Sequence, residues 1–278
     1  MVKGRHFWKM TGSGNDFVFV DGRDGSATEF EAAEAIRRIC ARGTGIGADG
    51  LVILTRPTTK GAGADIGLRY FNSDGSVAAL CGNATLCTTA LGVRLGVVDP
   101  SGFGIETDAG VLAARVRDGV AEFDLPVIRE AQEALAAIPA QGTEKRLGFA
   151  TAGIPHVVVL VPDVAAVDVV NRGRQLRHDT SLEHGANVNF VSRTGPGGAW
   201  RIRTYERGVE GETLACGTGT AAAAIVLRMW DEAGADTELE TASGRVLGVR
   251  SELGSDGNWR ASLRGEGRLV FEGRIGDL

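Results

Sequence analysis

Thr213-Leu-Ala-Cys-Gly-Thr-Gly-Thr-Ala-Ala-Ala-Ala-Ile-Val-Leu227 is fifteen residues long and carries no charge. Apolar side chains all round predict a helix buried on every side. Gly217-Thr218-Gly219 opens it directly after Cys216, so free backbone N–H groups stand beside a thiol. Such a helix start binds anions and favours thiolate over thiol. The chain holds this pattern twice. Ala79-Leu-Cys-Gly-Asn-Ala-Thr-Leu-Cys-Thr-Thr-Ala-Leu91 sets Cys81 ahead of Gly82-Asn83 and a second uncharged helix. Two thiols at two helix starts, facing a shared anion, suit proton transfer from both sides.

The copies extend upstream. Tyr70 precedes Cys81 by eleven residues, and Tyr205 precedes Cys216 by eleven. Gly47-Ala-Asp-Gly-Leu-Val52 is echoed by Gly185-Ala-Asn-Val-Asn-Phe-Val191. Gly14-Asn-Asp-Phe-Val18 is echoed more weakly by Gly153-Ile-Pro-His-Val157. Matches in one order at a domain-sized offset predict two homologous halves rather than a solenoid. A chain of 278 residues is long enough for both halves to bury a core. The composition shift from Pro126 to Gln141 marks the boundary, giving halves of 1–126 and 127–265. The last strand, in about 266–278, is a candidate to return to the first half.

In the first half we expect a β run at Phe17–Val20 and a capping box of Thr28 and Glu31. That box would start a helix running through Ala41 to a stop at Gly43. Strands follow at 50–54 and 66–71, then a hairpin over 105–116. The second half repeats the plan with strand 157–161, helix 164–177, and strands 187–192 and 200–205. Hairpins fill 237–275.

A net charge of −5 and a pI near 5.5 argue against nucleic acid or an anionic membrane as partner. No apolar run reaches the length of a membrane span, and Met1-Val-Lys-Gly-Arg-His6 lacks the h-region of a signal peptide. Four cysteines without a dense framework fit a reducing, cytoplasmic setting. Cys40 and Cys87 fall within helical patterns and read as inert core thiols. The Gly-Thr-Gly turn lacks the Gly-Lys-Ser/Thr of a phosphate loop, and neither helix opens with a dinucleotide fingerprint. Lys3, Lys9, Lys60 and Lys145 all stand away from both glycine turns, which disfavours a pyridoxal Schiff base. His6, His156, His178 and His184 are scattered and Cys81 and Cys87 lie six apart, so no metal is expected. Asn15, Asn72, Asn83 and Asn187 fall in turns. With His156, Glu206 and Arg207 they form a polar set suited to the carboxylates and ammonium groups of an amino acid. Arg207, nine residues before Cys216, has Asn72 as its counterpart by spacing.

Phe7-Trp-Lys-Met-Thr-Gly-Ser-Gly-Asn-Asp-Phe17, Gly45-Ile-Gly-Ala-Asp-Gly50, Phe71-Asn-Ser-Asp-Gly-Ser76, Cys81-Gly-Asn83, Tyr205-Glu-Arg-Gly208 and Ala215-Cys-Gly-Thr-Gly219 together resemble the diaminopimelate epimerase family over nearly the whole chain. The resemblance implies an α/β fold of the α+β kind. Two pseudo-symmetric domains each wrap a mostly antiparallel sheet or barrel around a central buried helix, with the active site in the cleft between them. It implies a cofactor-independent two-base epimerisation of LL- to meso-diaminopimelate in lysine and peptidoglycan precursor synthesis, usually by a homodimer. Cys81 and Cys216 would then be the acid/base thiols, one thiolate and one thiol; we take Cys216 as acceptor and Cys81 as donor, roles that swap with direction and that the sequence leaves open. Amides at Gly82, Asn83, Gly217 and Thr218 would hold the reacting carboxylate. Asn15, Asn72, Asn187, Glu206 and Arg207 would grip the substrate, and His156 and Glu206 would tune the thiols. Ile154 stands where the family often has Asn, Gly50 where some members have Gln, and Ala84 and Leu86 where Gly and Arg are frequent. A racemase for another amino acid on the same scaffold is the alternative enzyme. A non-catalytic amino-acid-binding protein would have no need of both thiols, and a thiol–disulfide protein would be expected to show a Cys-x-x-Cys.

Overall fold

Strand β1 (His6–Gly12) turns into β2 (Asn15–Asp21) through Ser13 at φ 52° and Gly14 at φ 102°, the left-handed region where glycine is at ease. These coordinates come from a computed structural model that describes residues 4–58 and 63–277. The expected capping box does not form. Thr28–Glu31 is a single 3₁₀ turn pinned by fully buried Phe30, and extended Ala32 breaks the chain before α1 (Ala33–Cys40). Alanines occupy both cap positions, so no side-chain oxygen reaches either helix start. Strand β3 (Gly50–Thr55) lies parallel to β2 and antiparallel to β4 (Ile66–Asn72). Helix α2 (Gly82–Arg94) follows, and then the meander β5 (Phe103–Thr107), β6 (Gly110–Arg117) and β7 (Val120–Asp124). A positive φ at Gly110 and at Gly119 makes its two turns.

The second unit spans Asp124–Arg264. After the short β8 (Ala131–Gln132), β9 (Arg146–Ala152) and β10 (Ile154–Leu160) form a hairpin across Gly153 at φ 74°. Strand β9 is additional to the strands expected. The helix predicted over 164–177 splits into a 3₁₀ turn at Val164–Ala166 and α3 (Val169–Arg177). Asp168 caps α3 by accepting from the Asn171 N–H. Strand β11 (Asn187–Arg193) runs parallel to β10 and antiparallel to β12 (Trp200–Glu206), on which β13 (Gly211–Thr213) folds back. Helix α4 (Gly217–Met229) precedes the hairpins β14 (Asp236–Glu240), β15 (Val246–Leu253) and β16 (Trp259–Gly265). The last strand, β17 (Arg268–Arg274), belongs to the first unit, where it pairs antiparallel with β1.

Each unit is therefore a mixed α/β layer structure of mostly antiparallel strands around one largely buried helix. Helix α2 packs against β1, β4 and β6, and α4 against β9, β10, β11 and β15. A helix without water on any side must satisfy its own hydroxyls. Thr85, Thr88 and Thr89 do so by donating to the carbonyls of Cys81, Ala84 and Thr85, as Thr220 does to that of Cys216. A second core lies under the outer helix of each unit. Val18, Val20, Leu51, Ile53 and Phe71 meet Ile36 and Ile39 of α1, while Val157, Val159, Val188, Phe190 and Tyr205 meet Leu176 of α3.

These ladders give the repeat a register that spacing alone misses. Phe17 faces Gly50 where His156 faces Asn187, and Leu51 faces Phe71 where Val188 faces Tyr205. Tyr205 thus corresponds to Phe71, and Tyr70 to Thr204. Alternation along a strand makes that one-residue difference decisive, because it moves a side chain to the opposite face. Asn72 accordingly corresponds to Glu206 rather than to Arg207. The second unit spends one more residue between β12 and α4, where β13 forms.

Candidate active site

Both cysteines are N-cap residues, and their backbones match. Cys81 has φ −131° and ψ 113°, and Cys216 has φ −129° and ψ 109°. An extended residue there lets its carbonyl accept the first helical bond, from Thr85 N and Thr220 N respectively. The amides between cap and that first donor, at Gly82 and Asn83 and at Gly217 and Thr218, have no acceptor within the helix. They carry the positive end of the helix dipole. Each unit thus offers a thiol beside backbone donors fitted to a carboxylate.

In the second unit Cys216 is buried. The Asn187 Nδ2 donates to its Sγ at 3.7 Å, and Thr218 Oγ1 lies 3.5 Å from the same sulfur. Burial, then the nearby Glu206 carboxyl, push the thiol up to about 12; Thr218, the Gly219 N–H and Asn187 pull the other way without prevailing. Burial likewise raises Glu206, with the Thr213 hydroxyl opposing that shift. Asn187 also accepts the Arg207 N–H at 2.8 Å through Oδ1, so one amide ties the thiol to the turn carrying Arg207. The Arg207 guanidinium donates to the His184 carbonyl at 3.0 Å.

His156 is fully buried, and burial followed by the charge of Arg207 lowers it to about 3. Its Nδ1 lies 3.2 Å from Asn189 Nδ2, which also donates to the Val157 carbonyl, while Asn189 Oδ1 accepts from Thr204. An amide N–H donating to Nδ1 leaves the imidazole proton on Nε2, and that atom has no partner among the described residues. Gly219 makes this chain possible: a Cβ there would stand 2.3 Å from Asn189 Oδ1. Of the two expected tuners, Glu206 acts on Cys216, whereas His156 is held through Asn189.

In the first unit the polar groups sit elsewhere. Asn83 Nδ2 donates to Asn15 Oδ1 at 2.7 Å, and Asn15 Nδ2 donates to Asp49 Oδ2 at 3.0 Å. Behind Asp49, Arg42 reaches both Asp49 at 2.8 Å and Asp16 at 2.6 Å, and buried Lys9 pairs with Asp16 at 2.7 Å. Burial raises the Asp16 carboxyl, but Arg42 and Lys9 together hold it below its ordinary range. These charges fix the Asn15 amide, which in turn fixes Asn83. Asn72 accepts from the Tyr70 hydroxyl at 3.0 Å and donates to Ser76 Oγ at 2.9 Å. The two remaining cysteines are buried. Cys40 is raised to about 12 and Cys87 well above the ordinary thiol range, mainly by that burial, so both stay thiols.

The sequence profile described as diaminopimelate epimerase matches residues 7–125 and 148–269. A diaminopimelate epimerase of Gemmatimonas aurantiaca is 49% identical, with 98% of this chain and 99% of that protein aligned. The chain belongs to the diaminopimelate epimerase family. The diaminopimelate epimerase of Aquifex aeolicus is 37% identical over 98% of each chain. Among solved structures, a Bacillus anthracis phenazine biosynthesis protein of the PhzF family superposes with a TM-score of 0.72 at 16% identity, covering 98% of this chain and 99% of its own. That likeness extends the fold to a wider group of proteins.

Within the diaminopimelate epimerase scaffold, several residues beside the thiols were not singled out from the sequence. Asn189 carried a signal, since Asn187-Val-Asn189 puts two amides on one face of a strand otherwise built to be buried. A Cys-x-x-x-Thr pattern at both helix starts announces Thr85 and Thr220. Asp49, Thr204 and Thr213 act through contacts distant in sequence, which no local pattern reveals.

Proposed function

We propose that this chain catalyses the cofactor-independent epimerisation of LL-diaminopimelate to meso-diaminopimelate, with Cys81 and Cys216 as its two acid/base groups. The observation that carries the proposal is the pair of N-cap cysteines with matching backbones, in a member of this family. The α-hydrogen of an amino acid is a very weak acid, so the developing carbanion needs help. Donors at Gly82, Asn83, Gly217 and Thr218 would bind the α-carboxylate, where charge builds in the transition state. One thiolate removes the proton and the other group, as thiol, delivers one to the opposite face.

Burial of Cys216, then the nearby Glu206 carboxyl, favours its thiol form, and we assign it the donor's role where the sequence reading made it the acceptor. Cys216 enters the reaction as donor and Cys81 as base, and the roles exchange when the reaction runs backward. Asn15, Asn72, Asn187, Glu206 and Arg207 would orient the substrate, with Arg207 the group able to grip a distal carboxylate bidentately. The unpartnered Nε2–H of His156 leaves one more donor for a bound anion. The proposed setting is the cytoplasm, in lysine and peptidoglycan precursor synthesis, with the chain working as a homodimer.

The test is proton–deuterium exchange at Cα in D₂O without added cofactor. LL-diaminopimelate should give meso product carrying solvent deuterium at the inverted carbon, while monocarboxylic amino acids exchange far more slowly. Equal rates on monocarboxylic amino acids would replace diaminopimelate by another substrate, and no exchange on any would remove the enzymatic proposal.

A further inference from the structure

Tyr70 stands next to one of the two thiols without a role in the reaction as described. It lies on the face of β4 opposite Phe71, buried, with its ring edge-on to Phe17 at a centroid distance of 5.9 Å. Its hydroxyl donates to Asn72 Oδ1 at 3.0 Å and is also hydrogen-bonded to the Cys81 side chain. Gly50 makes the room. A Cβ at that position would stand 2.5 Å from the ring's Cε2 and 3.0 Å from its hydroxyl. In the second unit the corresponding residue is Thr204, whose shorter hydroxyl serves Asn189 and leaves Cys216 to Asn187 and Thr218.

We propose that Tyr70 is a positioning residue for Cys81 and Asn72, its one hydroxyl proton shared between the Asn72 carbonyl oxygen and the Cys81 sulfur. The inference rests on the two-thiol reading given above. A phenol has one proton to donate and lone pairs to accept with. When Cys81 is a thiol, the phenol donates to Asn72 Oδ1 and its oxygen faces the S–H. When Cys81 is a thiolate, the sulfur becomes the stronger acceptor, because hydrogen bonds to charged groups are roughly twice as strong. The hydroxyl then turns to it. No proton leaves Tyr70 in either state, since burial and the adjoining thiol hold the phenol well above the ordinary tyrosine range. The other titratable groups around this pair are Asp49 ahead of β3, Cys40 at the end of α1, and Cys87 on α2, itself beside Glu266. Burial holds Cys40 and Cys87 as thiols.

The decisive variant is Tyr70→Phe, which keeps the ring and removes only the hydroxyl. Three quantities are read on the full chain: the rate of Cys81 alkylation by iodoacetamide at neutral pH, by peptide mass mapping; kcat and KM for diaminopimelate; and Tm. Loss of the donor should slow Cys81 alkylation about fivefold and lower kcat about tenfold, with KM rising only about threefold through Asn72. Asn72→Ala should cost less in the Tyr70→Phe background than alone, because the two act through one bond. Incorporating 3-fluorotyrosine at position 70, which restores a hydroxyl, should return both rates toward those of the unmodified protein and covers the case in which Tyr70→Phe folds poorly. A changed Tm with unchanged alkylation rate and unchanged kcat would reduce Tyr70 to a packing residue. If the unmodified protein does not epimerise diaminopimelate, the proposed function falls by itself, and the alkylation rates still decide whether Tyr70 controls Cys81.

Discussion

The starts of α2 and α4 share a backbone and differ in everything around it. At both, an N-cap cysteine with φ near −130° precedes a largely buried helix and is braced by a threonine four residues on. Around α2 the strand positions hold Phe17, Val52 and Tyr70, and the polar chain runs from Asp49 through Asn15 to Asn83. Around α4 the matching strand positions hold His156, Asn189 and Thr204, joined in a buried hydrogen-bonded chain. One duplicated frame thus fixes where each sulfur sits, while its neighbours set the protonation of that sulfur. Cys216 is buried beside a carboxyl; Cys81 is half-exposed beside a phenol. Under the two-thiol reaction proposed above, the pair must differ by one proton, and such inequality would serve it.

The hardest way to break the comparison is to remove one thiol. Cys81→Ala and Cys216→Ala should each lower kcat for epimerisation about a thousandfold or more, because proton transfer at one face is then lost. Circular dichroism and Tm should stay close to those of the unmodified protein. Substantial turnover in either variant would show that one thiol serves both faces.

The second prediction sharpens the contrast through acid stability. His156 is lowered to about 3 by burial. The unfolded chain therefore takes up a proton below about pH 6.5 while the folded chain does not. Its contribution is whole above that pH and is lost as pH falls toward 3, at about 1.4 kcal/mol per unit, several kcal/mol in all. Phe17 at the matching place carries no such dependence. Urea titrations between pH 4 and 7 should show the slope in the unmodified protein and a shallower one in His156→Gln. Equal slopes would mean that the carboxylates alone govern acid unfolding.

The smallest effect concerns what the halves share. Thr85→Val and Thr220→Val each remove one side-chain bond to a cysteine carbonyl, so each should cost about 1 kcal/mol in denaturant unfolding. A markedly larger cost in one half would mean that the two helix starts are not held alike.

The two buried helices and their cysteines were legible because a charge-free run of small residues after Cys-Gly has few other structural uses. Most strands were legible from β-branched runs between glycine turns. The failures have physical causes. Thr28 and Glu31 have the spacing of a capping box, but Phe30 between them is drawn into the core and holds a 3₁₀ turn instead. Equal Tyr-to-Cys spacings suggested that Tyr70 and Tyr205 correspond. Strand register places Tyr205 in the outer core and Tyr70 beside a thiol, because the β13 loop holds an extra residue. The polar chain of Thr204, Asn189 and His156 joins three strands, and only their pairing brings it together.

The pairing of β17 with β1 sets a schedule for the nascent chain. The first unit needs Arg268–Arg274 to complete it, yet the whole of Asp124–Arg264 leaves the ribosome in between. At a synthesis rate of roughly 5–20 residues per second, β1 waits some tens of seconds for that partner. The second unit is contiguous and can finish folding during the wait. Until then the edge of β1 that β17 covers stays unpaired, and Phe7 lacks its ring contact with Phe271.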